Sequence, residues 1–312
     1  MADPGIIAAM LLDLAIGWPA AWYARVGHPV GAIARVIAAG EGRWNTADRS
    51  AAARRGYGVM LMAGVILLSG GVAWLAQLGA HALPDPAGWI AIAVLAWPAL
   101  AMRSLAEHVR PIAVALEARD LPRARAAVAR IVGRDTATLD DNGVARAAIE
   151  SLSESLCDGV VAPLFWFAVA GLPGLWAYKA INTADSLIGH REDRWRAFGW
   201  AAARIDDGAN WIPARLSGVL LCVVGGGGWR VMWRDARRHA SPNAGWPEAA
   251  MAGALRVALA GPVAYDGVLQ DKPWIGAAGR LATSGDLRRA LVIYRRVIAL
   301  LLIVAGGWAW WG

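Results

Sequence analysis

YGVMLMAGVILLSGGVAWLAQLGA, residues 57–80, is a run of 24 positions without a formal charge. At about 1.5 Å per residue an α-helix of this length exceeds the roughly 30 Å hydrocarbon core of a bilayer, so the run reads as a membrane-spanning helix. Residues 86–102 follow as a shorter span containing Trp97-Pro98. HALPDPAG (81–88), between them, has neither Lys nor Arg, whereas residues 25–55 carry six Arg and residues 103–157 carry eight. By the positive-inside rule the two spans form a hairpin with its tip outside and both flanks in the cytoplasm.

Composition agrees. Apolar residues make up 57% of the 312, and charged residues only 18%. A soluble chain has about 45–50% and about 25%. The 18 Trp suit a protein with two water–lipid interfaces. A net charge of +7 is explained by basic loops that hold a membrane protein on its cytoplasmic side, and nucleic acid is not expected as a partner. Cys157 and Cys222 cannot form a disulfide framework and read as small buried hydrophobes. Only two of the 31 basic residues are Lys, Lys179 and Lys272.

Two further spans are expected at about 5–24, read as a retained anchor, and at 297–312, with Arg295-Arg296 at one end and a Trp cluster at the other. Residues 159–178, interrupted by Pro163, Gly171, Pro173 and Gly174, and residues 211–229, closing in GGGGW, are spanning or re-entrant. The polar loops are then 103–157, 179–210 and 230–289. Val109, Ile112, Leu116, Ala127 and Ile131 recur at helical spacing, and Asp120-Leu121-Pro122 opens a helix. The fold class is all-α: a single polytopic membrane domain over 1–312 with large amphipathic-helical polar loops.

Several standard sites are missing. There is no Walker-type phosphate loop, no G-x-G-x-x-G after a strand, no paired metal-ligand spacing among the five His, and no G-x-S-x-G elbow. What is present is a polar set around 159–178. Glu150, Glu154 and Asp158 recur every four residues, on one helix face that ends at the membrane. Either arginines pair with them or a cation such as Mg²⁺ with phosphates shares them. Lys179, Asn182, Asp185 and Ser186 follow at similar spacing. Arg204, Asp206, Asp207, Asn210 and Arg215 then lie in ARIDDGANWIPAR, where carboxylates and an amide suit a hard cation and the Arg suit phosphate. The competing explanation is that one of Asp206 and Asp207 caps the helix that begins at NWIP. Asp13, inside an apolar stretch, is either functional or paired with an arginine.

These residues lie in recognisable blocks. RDTATLDDNGVARAAIESLSESLCDGVVAPLF (134–165), YKAINTADSLIGH (178–190) and FGWAAARIDDGANWIPARL (198–216) resemble the CobD/CbiB family of cobalamin biosynthesis, the integral-membrane adenosylcobinamide-phosphate synthases. LLDLAIGWP (11–19), GHPV (27–30) and SPNAG (241–245) fit the outlying pieces. The chain departs from the family's E-N-x-S-D-G at Ser155 and Cys157, and has His190-Arg191 where Tyr-Lys is expected.

The resemblance implies ATP-dependent amide formation between adenosylcobyric acid and (R)-1-amino-2-propanol O-2-phosphate or a related amino alcohol phosphate, with Mg²⁺ and ATP required. It also implies a multi-pass protein of the inner membrane with its active site on the cytoplasmic side. The partners it implies are these substrates, membrane lipid and the pathway's threonine-phosphate decarboxylase; homo-oligomers are left open. On this footing catalysis is expected of Lys179, Asn182, Asp185, Ser186 and Asn210. Co-substrate binding is expected of Arg134, Asp135, Arg204, Arg215, Asn243 and His28, and metal binding of Glu154, Asp158, Asp185, Asp206 and Asp207. Trp195, Trp200 and Trp211 either touch the corrinoid or pack at the interface. A corrinoid transporter and a non-catalytic scaffold for the pathway are the alternatives.

Overall fold

The uncharged run around 57–80 is helical from Ala51 to His81 in the computed structural model of the chain, which describes residues 4–265, 268–277 and 279–311. Ser50 Oγ accepts a hydrogen bond from the Ala53 amide at 3.2 Å and caps the helix start. Three more helical runs among the described residues are long and apolar enough to cross a bilayer: Ala87–Glu117, Asp141–Ile188 and Ser284–Trp308. Trp200–Ala209 and Trp211–Gly225 pass that test only as a bent pair. The second span of the expected hairpin starts at Ala87, tightens into a 3₁₀ turn at Trp97–Ala99 and resumes at Met102. Ser284–Trp311 starts well before the expected boundary at 297, and Gly312 lies outside the described residues.

The expected N-terminal span is two helices, not one. Gly5–Ile16 ends where Gly17 takes φ +61°, and Ala20–Val26 begins after Pro19. Twelve helical residues cover about 18 Å, short of a bilayer core.

The chain, read above as one domain, divides into two compact units. Met1–Ala101, Ala162–Asn210 and Val304–Gly312 form one; Met102–Val161 and Trp211–Ile303 form the other. In the first, Ala51–His81 packs along Ala162–Ile188. The latter helix is broken at Ala170 and Gly171, where Gly171 takes φ +62° ahead of Pro173. The break leaves the Leu172 amide without a helical acceptor, and Gln77 Oε1 accepts from it at 2.7 Å. A side chain at Gly171 would collide with the Gln77 amide. This accounts for a lone Gln in an otherwise apolar run.

In the second unit, Met102–Glu117 buries Val109, Ile112 and Leu116 as the spacing requires. Leu121–Val128 starts where expected, with Asp120 accepting from the Arg123 amide at 3.1 Å, but it buries Ala124 and Val128 rather than the expected Ala127 and Ile131. Asp141–Leu156 is followed by a π-helical turn at Cys157–Val161. The GGGG run is a turn: Trp211–Gly225 stops there, Gly226 and Gly228 have positive φ, and Gly228 lies so close to the Ala250 carbonyl that any side chain would clash.

Region 230–289 holds a feature that was not anticipated. Val257–Ala260 pairs antiparallel with Trp274–Ile275 (Leu259 opposite Ile275) and parallel with Arg280–Leu281 (Val257 opposite Arg280). Val263–Tyr265 and Val268–Gln270 form a separate antiparallel pair. A fully buried four-residue strand has no polar alternation, so periodicity cannot distinguish it from a helix fragment.

Gln77→Leu leaves the Leu172 amide unsatisfied in an apolar setting, at a cost of about 1–3 kcal/mol. Thermal unfolding of the purified protein in detergent is expected to show a lowered midpoint. An unchanged midpoint would mean that the helix break needs no side-chain acceptor.

Candidate functional site

Each unit carries a concentration of carboxylates beside a lysine. In the first, the helix that restarts after Gly171 presents Tyr178, Lys179, Asn182, Asp185 and Ser186 on successive turns. The last turn of Trp200–Ala209 brings in Asp206 and Asp207, and Asn210 ends that helix. The Tyr178 hydroxyl donates to Asn210 Oδ1 at 3.0 Å, and Asn210 Nδ2 donates to Asp206 Oδ2 at 3.0 Å. Asp206 is buried beside Asp185, Asp207 and Asn182. Its second oxygen, Oδ1, is buried with no hydrogen-bond partner among the described residues. Neither Asp206 nor Asp207 caps the following helix. Both lie inside the preceding one, so the capping alternative fails.

Lys179 is half-buried on the same helix, near His28. His28 Nδ1 accepts from the Val30 amide at 3.2 Å, capping Pro29–Trp44, and its ring stands 4.7 Å from that of Trp18. Burial, with the Lys179 charge nearby, holds the His28 imidazole below its ordinary value. Arg204 pairs with Asp207 at 3.4 Å. Ser186 donates to the Asn182 carbonyl at 2.9 Å, so its hydroxyl is engaged along its own helix.

The second unit contains a polar cavity of about 260 Å³ lined by Arg134, Glu150, Ser151, Glu154, His239, Glu248 and Lys272, with Ile131, Val132, Gly133, Ala260 and Val263 completing the wall. Glu150, buried, receives Arg134 in an ion pair and the Ala260 amide at 2.7 Å, and Arg146 approaches to 3.8 Å. His239 Nδ1 accepts from the Ser241 amide at 3.0 Å, while Nε2 faces Glu248 Oε1 at 3.6 Å. Burial, reinforced by the charges of Glu150 and Glu154, pushes the Glu248 carboxyl well above its ordinary value. Burial likewise holds His239 low.

Glu150 and Glu154 thus share a cavity, as their spacing demands. Asp158, which lies in the π turn, does not line it. Arg215 and Asn243 are brought together at 3.3 Å. The Arg215 guanidinium lies 4.2 Å from the Trp211 ring centroid and 4.7 Å from that of Trp246, so Trp211 holds an arginine in place. Asp135 is half-buried near Arg134, and Asp13 is buried within its apolar helix. Trp195 packs edge-on against His190, and Arg55 lies over Trp200. The expected metal ligands fall in both units, Glu154 and Asp158 in the second and Asp185, Asp206 and Asp207 in the first. Among the described residues no group of three or more His, Cys, Asp or Glu is gathered tightly enough to cage a metal.

Glu248, His239 and Lys272 were not among the expected site residues. One signal for them was present: the chain has only two lysines, and each stands at one of the two polar clusters. Glu248 gave none, since GWPEAAM reads as an ordinary helix start.

The sequence model of the family described as CobD/Cbib protein matches residues 6–294. A protein named Cobalamin biosynthesis protein CobD from Rhodobacter capsulatus is 51% identical over 307 residues, covering 96% of this chain and 95% of that protein. Proteins of the same name from Brucella anthropi and Geobacter metallireducens are 44% identical over 311 and 278 residues. The first covers 95% of this chain and 94% of the relative, the second 87% and 85%. No solved structure matches.

The raised Glu248 carboxyl makes stability depend on pH. A group whose folded value lies above its unfolded one, here 4.5, stabilises fully below that value and loses the contribution as pH rises through the folded value. Glu248→Gln is therefore expected to unfold at a higher temperature than the parent protein at pH 8 and to show a flatter dependence above about pH 4.5. Midpoints measured between about pH 5 and 9 check this, and parallel curves for the two proteins would contradict it.

Proposed function

We propose that this chain, which belongs to the CobD/CbiB family, joins adenosylcobyric acid to an amino alcohol phosphate such as (R)-1-amino-2-propanol O-2-phosphate, consuming ATP and yielding adenosylcobinamide phosphate. A carboxylate is a poor electrophile, so one of its oxygens has to become part of a leaving group before an amine can displace it. Transfer of the γ-phosphoryl group to the corrinoid carboxylate, with ADP leaving, makes an acyl phosphate. Attack by the free amine then forms the C–N bond and releases phosphate, with the amine proton passing to a base.

The observation that carries this reading is the first-unit cluster. A buried Asp206 with an unsatisfied oxygen, set beside Asp185 and Asp207 and on neighbouring turns to Lys179, fits a divalent cation with phosphate. The absence of a three-residue cage among the described residues is what Mg²⁺ accepts, since it is commonly held by one or two carboxylates while phosphates and water fill the other positions. Asp206, with Asp185 or Asp207, would hold the metal; when bound it would draw charge from the transferring phosphoryl group. Lys179 supplies positive charge for the phosphates, and Tyr178, through Asn210, fixes the Asp206 carboxylate. The arginine-free tip at 81–88, set against arginine-rich flanks, supports a multi-pass protein of the cytoplasmic membrane with its polar elements on the cytoplasmic side.

Purified protein in detergent, supplied with adenosylcobyric acid, the amino alcohol phosphate and Mg-ATP, is expected to give the amide with one nucleotide consumed per bond, read by mass spectrometry. Asp206→Asn is expected to lower the rate at least a hundredfold with little change in the unfolding midpoint. Corrinoid flux into proteoliposomes with neither amide nor nucleotide consumption would sink the proposal in favour of transport.

A further inference from the structure

The second unit holds another cavity, of about 270 Å³, whose polar residues are Ser104, His108, Arg130, Ser151 and Ser155. Leu105, Val109, Ile131 and Leu152 form its apolar wall. No carboxylate is among the described residues that line it. The acids closest in sequence are engaged elsewhere: Glu107 pairs with Arg103 at 2.6 Å, and Glu154 lines the other cavity. Ser151 donates to the Ile131 carbonyl at 2.9 Å. His108 Nδ1 donates to the Ser104 carbonyl at 2.6 Å, since a carbonyl only accepts, and Nε2 stays outside that bond. Among the described residues neither the Arg130 guanidinium nor the Ser155 hydroxyl has a hydrogen-bond or ion-pair partner. A fixed positive charge beside hydroxyls, in a wall without negative charge, complements an anion, and a guanidinium suits the oxygens of a phosphate.

The wall also separates the phosphates that could enter. An amino alcohol phosphate carries an ammonium, to which this wall offers no carboxylate. At about 270 Å³ the cavity is smaller than the roughly 300–1,000 Å³ of pockets for drug-sized ligands, so a corrinoid does not fit. Free phosphate would give up water against four apolar side chains. A lipid phosphate brings its own carbon atoms to that wall. Position favours the lipid as well. Ser104 lies two residues beyond the apolar run 86–102, and Ser155 four residues ahead of the run 159–178. At about 1.5 Å per residue both stand no more than about 6 Å from the apolar runs, within a headgroup layer of roughly 5–8 Å per side.

We propose that this cavity seats the phosphate of an anionic membrane lipid, with Arg130 and Ser155 on the phosphate oxygens and the apolar wall against the glycerol and first acyl carbons. A headgroup without an ammonium, as in phosphatidylglycerol, is preferred over phosphatidylethanolamine. Ser155 is one of the positions where the chain departs from the family's pattern. Arg130, His108 and Ser155 belong to neither polar cluster described above, so the site is independent of the ligation reading.

The test uses the full chain in detergent micelles and short-chain lipids soluble as monomers. Calorimetric titration with dihexanoyl phosphatidylglycerol is expected to show binding at least about fivefold tighter than with dihexanoyl phosphatidylethanolamine or inorganic phosphate. Arg130→Gln should weaken phosphatidylglycerol binding by about fivefold or more, and Ser155→Ala should weaken it less. Arg123→Gln, at an exposed arginine of the preceding helix, should leave it unchanged. A measurement on the unmodified protein guards against variants that fail to fold. Dihexanoyl phosphatidylglycerol should protect Arg130 from phenylglyoxal several-fold more than it protects Arg123, read by peptide mass spectrometry. Equal binding of the two lipids, equal protection of the two arginines, or a folded Arg130→Gln with parental affinity would overturn the assignment. Inorganic phosphate binding as tightly as phosphatidylglycerol would also overturn it, in favour of a free-oxyanion site.

Discussion

Taking a carboxylate out of water costs several kcal/mol unless partners replace its hydration, and this constraint sorts the acidic residues of the chain by role. Glu150 is answered by Arg134, by Arg146 and by a backbone amide. Asp235, fully buried, is answered by a two-pronged contact from Arg234 at 2.8 and 2.6 Å, by Arg238 at 3.5 Å and by the Gly276 amide at 2.9 Å. These contacts hold Asp235 below the usual carboxylate range. Both residues tie the small sheet to the helices: Ala260 ends its central strand and Gly276 follows its neighbour. Their satisfaction marks them as architecture. Asp206 is different, buried with one carboxylate oxygen that has no hydrogen-bond partner among the described residues. Natural structures leave few such groups, and those left call for a reason.

Much of the fold was legible because the membrane leaves few solutions. A 24-residue uncharged run in a bilayer has to be a helix, and it is one. Asp120-Leu121-Pro122 marked a helix start for a local reason, a side-chain acceptor followed by a proline in the first turn. The break in the first expected span was harder to read. Gly17 and Pro19 were visible, but whether they bend or end a helix depends on what packs there. Val257–Ala260 was invisible because a strand buried on both faces carries no alternating pattern.

The sites divide along the same line. Lys179, Asn182, Asp185, Asp206 and Asn210 lie in two short stretches and share a face through helical spacing, which a sequence displays. The cavity of the second unit draws Arg134, Glu150, Glu154, His239, Glu248 and Lys272 from positions more than a hundred residues apart. Only the tertiary fold brings them together, and Lys272 comes from the stretch around the unanticipated sheet. Asp158 continues the four-residue repeat in the sequence, but it lies in a π-helical turn and is not among the residues lining the cavity.

The two helices that frame the first-unit cluster have one more property. Asp185 occupies the last turn of Ala162–Ile188, and Asp206 and Asp207 the last turn of Trp200–Ala209; neither last turn contains a basic residue. Aligned peptide dipoles leave the carboxyl end of a helix with about half a negative charge, which disfavours an anion there by roughly 0.3–1 kcal/mol. Two such ends and three carboxylates reinforce one another, so the backbone itself deepens a well of negative potential. Arginines answer part of it at Asp207, which pairs with an exposed Arg204 at 3.4 Å and has the Arg191 charge nearby. Under the proposed ligation, a cation bound there would answer the backbone as well as the side chains, so truncation of any single carboxylate would weaken its binding without abolishing it.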